Sequence, residues 1–274
     1  MIGRIGDQRN LKRCCEPMRV VTQLSQMVCL ACGPTLSPES REHVFPKWIL
    51  KAFGSLNLMM GLDRKQHDGG AIGLRKEYRL DSFKLKEVCA ACNTGWMAKL
   101  EEAAKPVILG LINDTSHLSG LDIDQKDLLA RWAGKTAIIE SHSVGAECPI
   151  RSSFLRHLMH DIYRNPGNFA VAACKTDFLA FGHVQVGVIR DLFGGGKAAG
   201  NVVAIALPRL VFVCAFPMTE TRYQCRVAAP LEGLWPGDER SWHPIRDTFS
   251  PLELKDADSL FELVGRVELF HTVT

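Results

Sequence analysis

The sequence predicts an α+β fold, and three observations carry that expectation. Two Cys-x-x-Cys pairs, Cys29/Cys32 and Cys89/Cys92, frame a short-element region near the N-terminus. Apolar residues then recur at helical spacing through TGWMAKLEEAAKPVILGLI and QKDLLARWAGKTAIIES. Beyond these, segments rich in Val, Ala, Phe and Ile alternate with turn residues over 168–229, the signature of an antiparallel sheet.

Composition bounds the function classes. The chain has 274 residues, 46% hydrophobic and 23% charged, enough to bury a core and too apolar for wholesale disorder. No run reaches 18 consecutive apolar residues, which argues against a membrane span and a membrane partner. The opening MIGRIGDQRNLKRCCEPMR lacks the apolar stretch of a secretory signal, so a soluble, cytoplasmic protein is expected. In that compartment thiols stay reduced, and the ten cysteines point to metal binding and core packing rather than to disulfides. The first 110 residues hold 17 basic against 11 acidic side chains, the remainder 16 against 19. The positive side of this asymmetry is the side with the cysteine pairs, and a basic bias suits a polyanion partner.

Taken in order, residues 1–27 read as a flexible basic arm, with Met18 or Met27 a candidate natural start because MVCLACG opens on the first cysteine pair. A tight CLACG knuckle and a Pro/Ser turn follow. REHVFP reads as a strand ended by Pro46, and KWILKAFGSL as a helix with Trp48, Ile49, Ala52 and Phe53 on one side. Residues 61–82 are glycine-rich and basic, the pattern of an exposed loop or hairpin. SFKLKEVC alternates like a short strand and enters the second knuckle, CAACN.

The helix from Thr94 buries Trp96, Leu100, Ala103, Val107 and Leu111, leaves Lys99, Glu101 and Glu102 outside, and should kink or break at Pro106. In the next helix Leu128, Trp132, Lys135 and Ile139 mark successive turns. RSSFLRHLMHDIYRNP is a third helix ending before Pro166. Four or five strands over 168–229 make the sheet, with FGGGKAAGN as a hairpin loop, and the tail is loop-like with a helix near 256–265. Three parts are expected: the arm 1–27, a cysteine-clasped module 28–110, and an α+β domain 111–274 whose function the sequence leaves open.

The chemistry concentrates in the module. Each CxxC turn presents half of a tetrahedral thiolate site, and two of them give a closed four-cysteine zinc site with no open position for water, so that zinc would be structural. Fifty-six residues separate the pairs, room for a folded insert.

Between and after the pairs stand Glu42-His43-Val44-Phe45-Pro46 and Asn93. The ordered set CLAC, EHVFP, CAACN resembles the HNH endonucleases, the ββα-metal or His-Me finger family, over about residues 28–110. The resemblance implies a zinc-stapled ββα, treble-clef-like finger and metal-dependent cleavage of DNA, leaving a 5′-phosphate and a 3′-hydroxyl. It implies His43 as general base and Asn57, the only Asn between His43 and Cys89, as the residue that orients it. It also implies Glu42 and Asn93 as ligands of a catalytic Mg²⁺ or Mn²⁺, beside the structural Zn²⁺. On such a finger Arg64, Lys65, Arg75, Lys76, Lys84 and Lys86 become candidate phosphate contacts. Glu before the base and Asn at the end thin the metal site. The other reading is therefore a non-catalytic zinc-finger module that binds nucleic acid or protein. On a strand, Glu42 and His43 point to opposite faces, so they share an ion only where the backbone twists; the same Glu42 is also placed to pair with Arg41 or Lys47.

Overall fold

A computed structural model describes residues 27–54, 59–62, 76–82, 84–143, 150–160, 169–177, 179, 181–191, 197–217, 223–227, 232–235, 242–244, 263 and 267–271. The basic arm (but for Met27), Asn57, Arg64, Lys65, Arg75 and the tail segment 256–265 except Leu263 lie outside them.

The chain opens with a hairpin, β1 (Met27–Cys29) against β2 (Gly33–Thr35), turning through the first cysteine pair. Gly33 closes the turn at φ +82°, left-handed backbone that a side chain disfavours. Strand β3 (Glu42–His43) follows, and Pro46 ends it by starting helix α1 (Lys47–Ala52). Strands β4 (Met59–Leu62) and β5 (Lys76–Arg79) form the hairpin expected of the basic insert. Strand β6 (Lys84–Leu85) returns antiparallel to β3, with Glu42 opposite Leu85 and His43 opposite Lys84.

Helix α2 (Ala90–Cys92) starts at the second cysteine pair. A wide turn over Asn93–Met97, in which Gly95 leaves helical geometry at φ −91° and ψ −109°, redirects the chain into α3 (Ala98–Ile112). Contrary to expectation, α3 runs through Pro106 unbroken. Pro106 and Glu102, whose carbonyl it deprives of a helical partner, both lie on the exposed side, where water can supply that hydrogen bond.

Helix α4 (Ile123–Ser143) is the central element. Asp122 caps it reciprocally with Gln125: the Gln125 amide donates to Asp122 Oδ1 at 2.8 Å, and the Asp122 amide to Gln125 Oε1 at 3.1 Å. Helix α5 (Ser152–His160) packs beside it. Strands β7 (Ala170–Lys175), β8 (Gly182–Asp191), β9 (Lys197–Leu207) and β10 (Leu210–Pro217) then build an antiparallel sheet.

The fifth member of that sheet is not the YQCRV segment. That segment, β11 (Tyr223–Val227), leaves it, and β12 (Glu232–Trp235) takes the edge, giving the order β12-β7-β10-β9-β8. Strand β11 instead sits between β13 (Trp242–Pro244) and β14 (Val267–His271), so the tail read as loop contributes two strands. Every residue of β10 is buried, which requires cover on both faces. Helix α4 contacts β7, β9, β10 and β12, while β14 approaches β8 and β9.

One apolar cluster runs from Cys29 to Phe216. The expected boundary at residues 110/111 falls inside the last turn of α3. Phe45, two residues after His43, packs edge-on against Phe181 at 5.3 Å. Trp132 of α4 meets Phe212 of β10 at 5.5 Å, and Phe154, Phe169 and Phe216 form an aromatic knot under α4. The cysteine-clasped region thus shares its core with the sheet.

Candidate metal centre and the adjoining histidine

The four cysteines of the two pairs converge. Their sulfurs all lie within 4.8 Å of one another, and Cys32 Sγ is 3.7 Å from Cys89 Sγ. An ion bound at the usual ~2.3 Å Zn–S distance holds tetrahedral sulfurs about 3.8 Å apart, so the donor set fits and could hold a zinc ion. Cys29, Cys89 and Cys92 are buried and Cys32 is exposed.

Local backbone prepares the sulfurs. Cys89 caps α2, its sulfur accepting the Cys92 amide at 3.4 Å, and the Cys89 amide donates to Cys29 Sγ at 3.3 Å. Burial works against ionisation of Cys89, but the Cys92 amide and the Cys92, Cys29 and Cys32 thiols outweigh it and bring its pKa down to about 7. Burial, offset in part by Cys92, leaves Cys32 pushed up to about 11, and burial also drives Cys92 upward. Four thiols this close cannot all ionise without a cation, and a divalent metal supplies that charge.

Outside the clasp, Cys174 and Cys214 are buried sheet residues, Cys174 raised to about 12 by desolvation; these two behave as packing thiols.

Residues 37–43 are tied to the second knuckle. The Ala90 amide donates to Pro38 O at 2.8 Å and the Ser40 amide to Val88 O at 3.0 Å. Ser40 Oγ also donates to Val88 O, at 2.8 Å, and accepts from Asn93 Nδ2 at 3.0 Å. Asn93 is therefore anchored through its nitrogen to a residue three positions before His43. It does not cap α3, whose N-cap position is Met97 and which has no side-chain cap.

His43 stands at the end of β3, half-buried, with Nε2 enclosed and without a hydrogen-bond partner among the described residues. Desolvation, then the charges of Lys84 and Lys47, hold the imidazole below its ordinary pKa, so it is neutral near pH 7. Lys47, Lys84 and Lys86 are all exposed. Lys76 lies on β5; Arg64, Lys65, Arg75 and the expected orienting residue Asn57 fall outside the described residues.

Glu42 departs from expectation. Its carboxylate is buried and its Oε1 accepts from Lys135 Nζ at 2.9 Å, not from Arg41 or Lys47. The same ammonium donates to Glu101 Oε1 at 2.6 Å. Glu42 shares the inner face of the β3–β6 ladder with Leu85, opposite to the face of His43 and Lys84, so it does not fit the role of ligand to a catalytic ion. Glu101, expected outside, turns inward to complete the triad. Lys135 is fully buried, and although burial opposes its charge, Glu42 and Glu101 raise its pKa above the ordinary value. Among the described residues the four cysteines form the only cluster of His, Cys, Asp or Glu side chains able to hold a metal.

Lys135 and Lys47 were absent from the site residues the sequence offered. The available signal for Lys135 was its position on the apolar stripe of α4; Lys47 had only its place after EHVFP. Compared with known proteins, the chain matches no family model, no curated protein and no solved structure.

Proposed function

We propose that this protein is an HNH-type endonuclease that hydrolyses DNA phosphodiester bonds, with His43 as general base. The observation that carries the reading is the setting of His43: a neutral imidazole, opposite Lys84 and near Lys47, on a strand anchored to the four-cysteine clasp. The β3–β6 ladder, tied to the four-cysteine clasp, and the helices that follow the second cysteine pair support the reading.

The residues divide the work as phosphodiester hydrolysis requires. Lys47, Lys84 and Lys86 attract the phosphate backbone to the His43 face. Nδ1 of His43 accepts a proton from water, the water oxygen attacks phosphorus, and the O3′–P bond breaks; the leaving O3′ takes a proton from solvent water, which leaves a 5′-phosphate and a 3′-hydroxyl. A hard divalent ion, Mg²⁺ or Mn²⁺, would neutralise charge on the phosphate and leaving oxygen. Asn93 has a carboxamide oxygen to offer such an ion. Glu42 does not have a carboxylate to spare, and the donor set expected for the ion is incomplete. The zinc held by Cys29, Cys32, Cys89 and Cys92 is structural.

That missing carboxylate favours a second reading, a zinc-stapled module that binds nucleic acid without cutting it. Plasmid nicking with Mg²⁺ or Mn²⁺ separates the two. The nuclease reading expects nicking by the wild type and a loss of about 100-fold or more in His43→Ala. Binding to DNA with no nicking by either protein supports the second reading. Equal nicking by both rejects His43 as the base.

A further inference from the structure

The ladder that carries His43 is very short. Strands β3 and β6 pair through two residues each, Glu42 with Leu85 and His43 with Lys84. In any strand a one-residue slip exchanges the two faces. Here it would turn His43 into the core and Glu42 toward the lysines. The apolar pattern of β3 does not forbid the slip, because the next two residues, Val44 and Phe45, are both fully buried and favour neither face. The return strand does alternate, with Leu85 buried between exposed Lys84 and Lys86. The Ser40–Val88 hydrogen bonds and the Glu39–Cys89 bridge hold the chain just before β3, but the pairing shifts by one residue between Glu39–Cys89 and Glu42–Leu85, so these contacts leave the face of Glu42 to be chosen.

Lys135 is placed to choose it. It lies in the middle of α4, which packs against β6, and its side chain is entirely enclosed. Its Nζ holds Glu42 at 2.9 Å and Glu101 of α3 at 2.6 Å. A buried ammonium with no carboxylate beside it is costly, so the inward orientation of Glu42 is enforced by the charge it meets. Because neighbouring residues on a strand face opposite ways, an inward Glu42 forces an outward His43.

We infer that Lys135 is the positioning residue of the candidate site: by gripping Glu42 and Glu101 it sets the register of β3 and so turns His43 toward Lys84 and solvent. Lys135 touches no substrate, since no part of it is exposed. The inference rests on reading His43 as the base. It departs from that reading's usual assignment by making the neighbouring carboxylate an internal anchor rather than a metal ligand.

The test compares four full-length, zinc-loaded proteins: wild type, Lys135→Arg, Lys135→Met, and a charge-free variant carrying Lys135→Met, Glu42→Met and Glu101→Gln. The charge-free variant leaves no unpaired buried charge, so it remains informative where Lys135→Met alone fails to fold. Two readouts are taken, the side-chain NMR resonances of His43 and the kinetics of plasmid nicking with Mg²⁺. Lys135→Arg should keep the wild-type resonances and rate. The charge-free variant should keep its zinc but show shifted or doubled His43 resonances. Its kcat should fall about 100-fold, the scale of a misplaced catalytic group, while KM changes little. A charge-free variant with wild-type resonances and wild-type kcat overturns the inference. Absence of nicking by the wild type would remove the nuclease reading alone, because the resonances still report which way His43 faces.

Discussion

The backbone amide of Cys89 donates to the sulfur of Cys29 across sixty residues of chain, at 3.3 Å. This contact joins the two knuckles before any ion is considered. It also links the clasp to what lies between: Cys29 ends β1, Cys89 follows β6, and β6 is the strand against which His43 is held.

The clasp should therefore be a folding element. Purified protein is expected to contain one zinc per chain by elemental analysis. Cys89→Ser should lose it, and a strong chelator should lower the thermal midpoint, because structural zinc supplies folding free energy on the order of 10 kcal/mol in small fingers. Here the shared core with the sheet will retain some structure, so partial loss of near-UV signal is expected rather than complete unfolding. Calorimetry with and without chelator checks this; an unchanged midpoint rejects the zinc assignment.

His43 should titrate below the ordinary imidazole value of about 6.5. A pKa depressed on folding contributes stability above the unfolded value, and that contribution is lost as pH falls through the folded value. His43→Gln, which cannot protonate, should lose less stability than wild type between pH 7 and pH 5. If His43 is the base, nicking by the wild type should decline on the acid side with a midpoint below 6.5. High salt should raise the His43 pKa only in part, since it screens Lys84 and Lys47 but leaves desolvation, the larger cause, intact. NMR titration of the imidazole measures both effects.

Lys135 should show the asymmetry of a buried ion pair. Removing the cation alone, in Lys135→Met, should destabilise by about 3–5 kcal/mol because two carboxylates remain without their partner. The double variant Lys135→Met with Glu42→Met should lose less than the sum of the single changes. Denaturant unfolding of the four members of this cycle gives the coupling, and strict additivity would contradict the contact. The folded pKa of Lys135 is raised, so its contribution is complete below the unfolded value of about 10.5. It is lost only as pH climbs through the folded value, and neutral-pH measurements therefore see all of it.

The parts of the site legible in the sequence are those whose chemistry demands spacing. Two CxxC turns advertise a tetrahedral donor set, and the sulfurs do meet. Helix α3 was legible because it buries one side at regular intervals, and α4 because its large apolar residues recur at helical spacing, although Trp132–Ser141 are buried on every side. Lys135 was visible as a member of the α4 stripe, but a stripe does not say which strand faces it, and only the packing of α4 on β6 brings Glu42 there. Glu101 was misread for the same reason: it borders the apolar side of α3, and the Lys135 charge draws it inward. Strands β12, β13 and β14 are three to five residues long and find partners far away in sequence, so their local pattern carried little of their pairing. Pro106 was misjudged because its effect depends on whether the deprived carbonyl faces core or water.

Gly134 lets α4 lie close against Phe169, the residue just before β7. A Cβ built there would stand 2.8 Å from Phe169 Cε2 and 3.0 Å from Cζ. Phe169 has little freedom to yield, since it stacks on Phe216 at 5.1 Å and meets Phe154 edge-on at 5.9 Å. Gly134→Ala gains helix propensity of about 1 kcal/mol but overpacks the core by about 1–3 kcal/mol. Net destabilisation is expected, measurable by urea unfolding, whereas an equal or more stable variant would show that the aromatic knot can shift.

The lysines around His43 should govern affinity for DNA without governing sequence preference. Lys84 faces the same way as His43, and Lys86 is two residues along the same exposed edge, while Lys47 opens α1 just past the strand. Contacts of this kind act on phosphate, release counterions and leave base edges unread. Lys84→Ala and Lys86→Ala should each weaken binding to short duplexes of unrelated sequence by similar factors, and each should reduce the slope of log affinity against log salt by about 0.9. Lys105→Ala on α3, distant in sequence from this edge, serves as the comparison and should leave the slope unchanged. Fluorescence anisotropy over a salt series reads all three. A slope that falls equally for Lys105→Ala and Lys84→Ala would mean that DNA is attracted by overall charge, with no preference for the face that presents the imidazole.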